Sequence, residues 1–145
     1  MKRLIIAATL ALSVGTAHAD GMVTYETQDS FEDVVFGLEN AILDLGLVVD
    51  HVSHTGEMLE RTKADVGGTV TLFTQADVYS FCSAALSRKV MEADPMNVLF
   101  CPYDIFVAQQ PGKPVVIGYR TFPEGAMQEV QAMLDGIART AIGLD

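Results

Sequence analysis

Two amphipathic helices, one near each end of the chain, constrain the fold more than any other feature of the sequence. In both segments apolar residues recur at helical spacing, so each helix carries one apolar stripe. The first stripe consists of Phe31, Val34, Val35, Leu38, Ala41, Ile42 and Leu45, and the second of Met127, Val130, Leu134, Ile137, Ala138 and Ala141. Both stripes must be buried, so other segments have to supply an apolar surface.

Alternating segments rich in β-forming residues predict that this surface is a sheet. The predicted strands cover residues 22–27, 47–52, 69–73, 97–108 and 115–120, and the third continues towards residue 81. Pro102 lies within the fourth, which indicates an edge strand or a bulge. One or two helical turns are expected around residues 57–63, and a short helix capped by Ser83 precedes the fourth strand. The final helix is expected to open at Pro123 and Glu124.

The order β-α-β-β-β-β-α predicts a two-layer α+β domain with both long helices on one face of a mostly antiparallel sheet. A tight turn at residues 109–113 makes the last two strands antiparallel neighbours. The opposite sheet face is then solvated or covered by a partner, for example by a second copy in a homodimer.

The first 19 residues predict export. Lys2 and Arg3 are followed by an apolar run over residues 4–14 and by a small-x-small motif at Ala17–Ala19. We expect a signal peptide over residues 1–19, cleavage after Ala19, and a single domain over residues 20–145 in the periplasm or outside the cell. The remaining chain has no apolar segment long enough to span a membrane.

Charge and motifs restrict the function. Nineteen acidic residues against nine basic ones give a net charge of −10, and such a surface repels phosphate backbones. Nucleic acid is therefore not an expected partner. The sequence contains no G-x-S-x-G, P-loop or H-E-x-x-H motif. These features favour a binding module over an enzyme, with a metal ion, a haem or a small apolar ligand held near Cys82 and Cys101.

An ordered set of short motifs resembles a known family. Asp50-His51 lies at the end of the second strand, and Cys82 ends the third. A pattern of the type "L…M.ADP" spans residues 86–95, Cys101-Pro102 opens the fourth strand, and "V.V.Y" fills residues 115–119. Over roughly residues 30–124 this set is similar to the domain of unknown function 302 (DUF302) family.

The resemblance implies a compact α+β domain similar to the TATA-box-binding-protein-like folds and often dimeric, with no established activity. Members of the family usually have glycine near position 82 and leucine near position 101. This chain has cysteine at both positions.

Cys82 and Cys101 are the only cysteines, and the sequence leaves three interpretations open. The first is a structural disulfide, because exported proteins fold in an oxidising compartment and the ends of two neighbouring antiparallel strands would bring the residues together.

The second interpretation is a metal or haem site. Soft thiolates, joined by His51 or Met91, suit copper(I) or zinc, and a non-covalent haem could take one of these side chains as an axial ligand. Covalent haem attachment is excluded, because the chain contains no C-x-x-C-H.

The third interpretation is a reactive thiol that serves a periplasmic redox partner. Cys82 would lie at the N-terminus of the helix capped by Ser83, where the helix dipole lowers a thiol pKa. Arg88, which could also contact an anion, would add positive charge, and Cys101 would act as the resolving thiol.

Overall fold

A computed structural model describes residues 17–19 and 21–144 of the chain. Its strands are β1 (Ala17–Ala19), β2 (Met22–Thr27), β3 (Val49–Ser53), β4 (Gln75–Phe81), β5 (Tyr103–Gln109) and β6 (Val115–Arg120). Its α-helices are α1 (Phe31–Asp44), α2 (Thr55–Thr62), α3 (Ala84–Ala93) and α4 (Met127–Ala141), and a 3₁₀ helix (Pro95–Phe100) follows α3.

The strands form one antiparallel sheet in the order β1-β2-β6-β5-β4-β3. Alternate residues of the inner strands are buried, because one face of the sheet packs against α1 and α4. The largest fully buried side chains include Tyr103, Tyr119, Phe81, Leu38, Ile42, Ile105, Ile117 and Leu134. The predicted two-layer α+β architecture with both long helices on one face is confirmed.

The other face of the sheet carries a row of polar side chains and, next to it, a row of apolar ones. Ser80, Asp104 and Arg120 lie opposite one another on β4, β5 and β6. The Ser80 hydroxyl donates to Asp104 at 2.6 Å, and the Arg120 guanidinium donates to the same carboxylate at 3.4 Å. Val78 and Phe106 form the next row and are partly exposed.

Two predicted strands were misplaced. Residues 69–73 are not a strand, and Val70 and Leu72 are 67% and 53% exposed, whereas the expected continuation towards residue 81 is β4. The segment 97–108 is divided: Asp94 caps the 3₁₀ helix by accepting from the Met96 N–H, and β5 begins after Pro102.

The prediction that Pro102 marks an edge strand or a bulge was wrong. The proline precedes β5 and follows a cis peptide bond, and β5 is an inner strand between β4 and β6. The last helix begins at Met127, slightly later than expected. By contrast, β2 and β6 have the predicted bounds, and Ser83 caps α3 as expected by accepting from the Leu86 N–H.

The expected signal peptide lies mostly outside the described residues, since the structure describes nothing before Ala17. Cleavage after Ala19 would remove β1 and leave β2 as an edge strand of a five-stranded sheet. Among the described helices, none is long and apolar enough to cross a membrane.

Candidate functional site

The two cysteines meet at one end of the sheet. Cys82 follows the last residue of β4, and Cys101 ends the 3₁₀ helix just before β5. Phe81 and Tyr103 are directly paired between these strands, so the residues just beyond them are neighbours. Both cysteines are free and partly buried, and the Cys101 side chain is close enough to Cys82 to raise the pKa of the Cys82 thiol. The structure thus brings together the pair that the sequence singled out.

Two hydroxyl groups lie next to the thiols, on the side that faces the core. The Ser87 hydroxyl on α3 lies 3.9 Å from the Cys101 sulfur and 2.9 Å from the Tyr103 hydroxyl. Ser87 and Tyr103 are 9% and 1% exposed. Cys101 therefore has a polar neighbour that can donate a hydrogen bond to a thiolate, and α3 fixes the position of that neighbour.

The Cys82 thiol is a weak acid in this environment. Burial, the hydrogen bond with Cys101 and the charge of that neighbour raise the pKa of Cys82 to about 12, and Asp50 acts in the same direction. A backbone hydrogen bond at Tyr103 opposes the shift without reversing it. The direction is opposite to the one expected from the N-terminus of α3, because burial and a second thiol outweigh the helix dipole.

The other predicted site residues do not join the thiols in a closed ligand set. His51 is exposed on the edge strand β3, opposite Ser80, and the pairing is irregular between Val49 and His51. Met91 packs against the core. Arg88 is exposed and bonded to Glu92 at 2.8 Å. Within the described part of the chain, no group of three or more His, Cys, Asp or Glu residues could hold a metal ion.

The comparisons with known proteins agree with the fold. The sequence matches the family described as domain of unknown function DUF302 over residues 23–141. The chain belongs to the DUF302 family.

A solved structure, described as an uncharacterized conserved protein DUF302 from Bacillus stearothermophilus, is similar to this DUF302 domain. It has 16% sequence identity and a TM-score of 0.61, over 87% of this chain and 96% of that chain. At this identity the likeness establishes the shared fold alone. No curated protein matches the sequence.

A second site of this DUF302 domain was not predicted from the sequence. A cavity of about 910 Å³ lies at the opposite end of β4, between α2, the first residue of α1 and Pro111 in the β5–β6 turn. His54 Nδ1 and Asp77 Oδ1 are 3.0 Å apart in its wall. Distant segments form this cavity, so no local pattern in the sequence indicates it.

The raised pKa of Cys82 leads to a testable prediction about its reactivity. In the reduced protein, we expect iodoacetamide to alkylate Cys82 slowly at pH 8, where a thiol of pKa about 12 is roughly 0.01% thiolate, and about tenfold faster with each further pH unit. Cys101→Ala removes the neighbouring thiol that raises the pKa, so the variant should react faster at a given pH. Peptide mass spectrometry of time points measures both rates.

Arg88→Gln is the matched control for this experiment. The Arg88 side chain is bonded to Glu92 and exposed, so its removal should leave the alkylation rate of Cys82 unchanged. A rapid, pH-independent alkylation of Cys82 between pH 6 and pH 8 would contradict the described environment and favour the reactive-thiol interpretation.

Proposed function

We propose that this DUF302 domain is an exported binding module that holds one copper(I) ion between Cys82 and Cys101. The contact between the two thiols carries the proposal, because it places two soft sulfur ligands side by side at a partly exposed position. Thiolate sulfur is a preferred ligand of copper(I).

Copper(I) fits the donor set better than zinc or haem does. Structural zinc sites almost always use four protein ligands, whereas the described residues offer a pair of thiols. A non-covalent haem needs an axial ligand that faces a cavity, but Met91 packs against the core and His51 lies exposed on an edge strand. A small apolar ligand could only pack against the two thiols. Any apolar side chains could provide that packing, so such a ligand does not explain why both residues are cysteines.

Metal binding at this pair must displace protons. The pKa of Cys82 is far above neutrality, so a bound copper(I) ion replaces the Cys82 proton, which passes to water. The apparent affinity should therefore increase by about tenfold or more with each pH unit between pH 6 and pH 8. Ser87 can donate its hydroxyl hydrogen to the Cys101 thiolate in the loaded state.

The thiol contact also favours a second function, a dithiol–disulfide pair. Oxidation would join the two sulfurs and transfer two electrons and two protons to an oxidant, such as a disulfide of a periplasmic redox partner. The bond would attach the 3₁₀ helix to the end of β4. In a purely structural version, the disulfide stabilises the domain without a cofactor, and the open sheet face with Val78 and Phe106 is the surface available for a homodimer.

Native intact-mass spectrometry distinguishes these functions. The mature protein is isolated from the periplasm, weighed, denatured without reductant and weighed again. We expect one copper adduct that is lost on denaturation, leaving two free thiols. The reduced protein should compete for copper(I) against a chromophoric chelator, and Cys82→Ser or Cys101→Ser should abolish this competition.

Two further variants serve as controls, and the mass of the protein shows whether the cysteines are oxidised instead. His51→Ala and Met91→Leu should retain copper(I), because neither side chain belongs to the thiol pair. A mass two hydrogens light, combined with no copper(I) binding after reduction, would overturn the copper proposal and support the dithiol–disulfide pair. Copper retained by the Cys82→Ser/Cys101→Ser double variant would overturn the assigned site.

A further inference from the structure

We infer that the cavity at the start of β4 binds a small zwitterion with an apolar side chain, of the class of the apolar α-amino acids. This site is independent of the thiol pair. Since β4 has seven residues, the two sites are about 20 Å apart at opposite ends of the same strand. The cavity volume of about 910 Å³ is typical of small-molecule sites.

Two charges on α2 carry the inference. Glu57 and Arg61 both line the cavity and lie one helical turn apart, a spacing at which such side chains commonly pair. Among the described residues, however, neither side chain has an ion-pair or hydrogen-bond partner. Both residues are exposed, so a solvated carboxylate and a solvated guanidinium border the open side of the same cavity without pairing with each other.

The remaining charged groups of the wall are already paired. Glu60 accepts a hydrogen bond from Lys63, and this contact lowers the pKa of the Glu60 carboxyl. Asp77 is bonded to His54. These groups therefore compete little for a ligand, and the charges that remain available are one negative group and one positive group on a single helix.

Apolar side chains form part of the remaining wall, beside the polar Thr71, Thr74 and Gln75. Phe31, at the start of α1, is only 6% exposed, and Phe73 is partly buried. Ala76 and Pro111 add apolar surface. The position of α2 is fixed by a close approach to the sheet, because a Cβ at Gly56 would lie 2.6 Å from the Ala76 nitrogen.

These groups match the parts of an apolar amino acid. The ammonium would bind Glu57, the carboxylate would bind the guanidinium fork of Arg61, and the side chain would contact Phe31 and Phe73. Because the two exposed residues carry opposite charges, a zwitterion can pair with both at once, whereas a ligand with one charge can pair with only one of them.

Isothermal titration of the full mature chain with L-phenylalanine tests this inference. We expect saturable binding, and at least about tenfold weaker binding of three analogues that each lack one feature: N-acetyl-L-phenylalanine, L-phenylalaninamide and glycine. Glu57→Gln and Arg61→Gln should each weaken the binding of phenylalanine by about tenfold or more. Far-UV circular dichroism verifies that the variants are folded.

Glu92→Gln and Arg88→Gln are the matched controls, since they remove an exposed acid–base pair at the same spacing on α3. Both should bind phenylalanine as the unmodified chain does. The inference is overturned if phenylalanine gives no saturable binding at millimolar concentration, if all four compounds bind alike, or if the folded Glu57→Gln and Arg61→Gln variants bind with unchanged affinity. None of these results depends on copper or on the state of the cysteines.

Discussion

Gly37→Val is expected to destabilise the domain by about 3 kcal/mol or more, because α1 and α4 approach each other closely at this residue. A Cβ at Gly37 would lie 2.2 Å from the carbonyl oxygen of Ala141, which belongs to the backbone and cannot rotate away. The helices would have to separate, and the stripes of Leu38 and Leu134 would lose contact with the rest of the core. Urea denaturation followed by circular dichroism measures the change, and the melting temperature should fall by about 10 °C.

Gly136→Val is the matched control for Gly37→Val. Gly136 is exposed on α4, and a Cβ there would meet nothing within 4 Å. Since glycine is the poorer helix former, this variant should be as stable as the unmodified chain or slightly more stable. Equal destabilisation by both valines would mean that the loss reflects valine in a helix and not the contact between α1 and α4.

The helices and strands that could be predicted are those in which the spacing of apolar residues matches the face that is buried in the fold. β6 was predicted with its observed bounds, because the large apolar side chains of Val115, Ile117 and Tyr119 recur at every second position and are buried. Residues 69–73 alternate just as clearly, but Val70 and Leu72 are exposed. Alternation shows which side chains a strand would bury. It does not show whether a neighbouring strand is present to pair with the segment.

The position of the two thiols in the fold could be predicted from the sequence, but the acidity of Cys82 could not. Adjacent antiparallel strands bring Cys82 and Cys101 to one end of the sheet, which follows from the strand order. The direction of the Cys82 pKa shift depends on burial and on the contact with Cys101, and neither is visible in the sequence. The charges at Glu57 and Arg61 are visible, but their lack of partners is a property of the folded cavity.

A hydrogen-bonded cluster between the sheet and α4 gives the second large expected effect. The hydroxyls of Tyr25 and Tyr119 both donate to Oδ1 of Asp135, the latter at 2.6 Å. The two tyrosines are 4% and 2% exposed, and Asp135 is half-buried at a cavity of about 320 Å³ that both tyrosines also line. Burial and the neighbouring Asp135 carboxylate raise the pKa of Tyr25 and of Tyr119, which keeps both hydroxyls protonated as donors.

Asp135→Ala should therefore destabilise the domain by about 2–5 kcal/mol, because two tyrosine hydroxyls lose their hydrogen bonds to a charged acceptor at once. If the lost hydrogen bonds are the cause, removing the donors as well should restore most of the stability, since replacing both partners by apolar groups is nearly neutral. The triple variant Tyr25→Phe/Tyr119→Phe/Asp135→Ala should then unfold at a higher urea concentration than Asp135→Ala alone. A triple variant no more stable than the single one would assign the loss to other contacts of Asp135 on α4, and the two tyrosines would then contribute through packing alone.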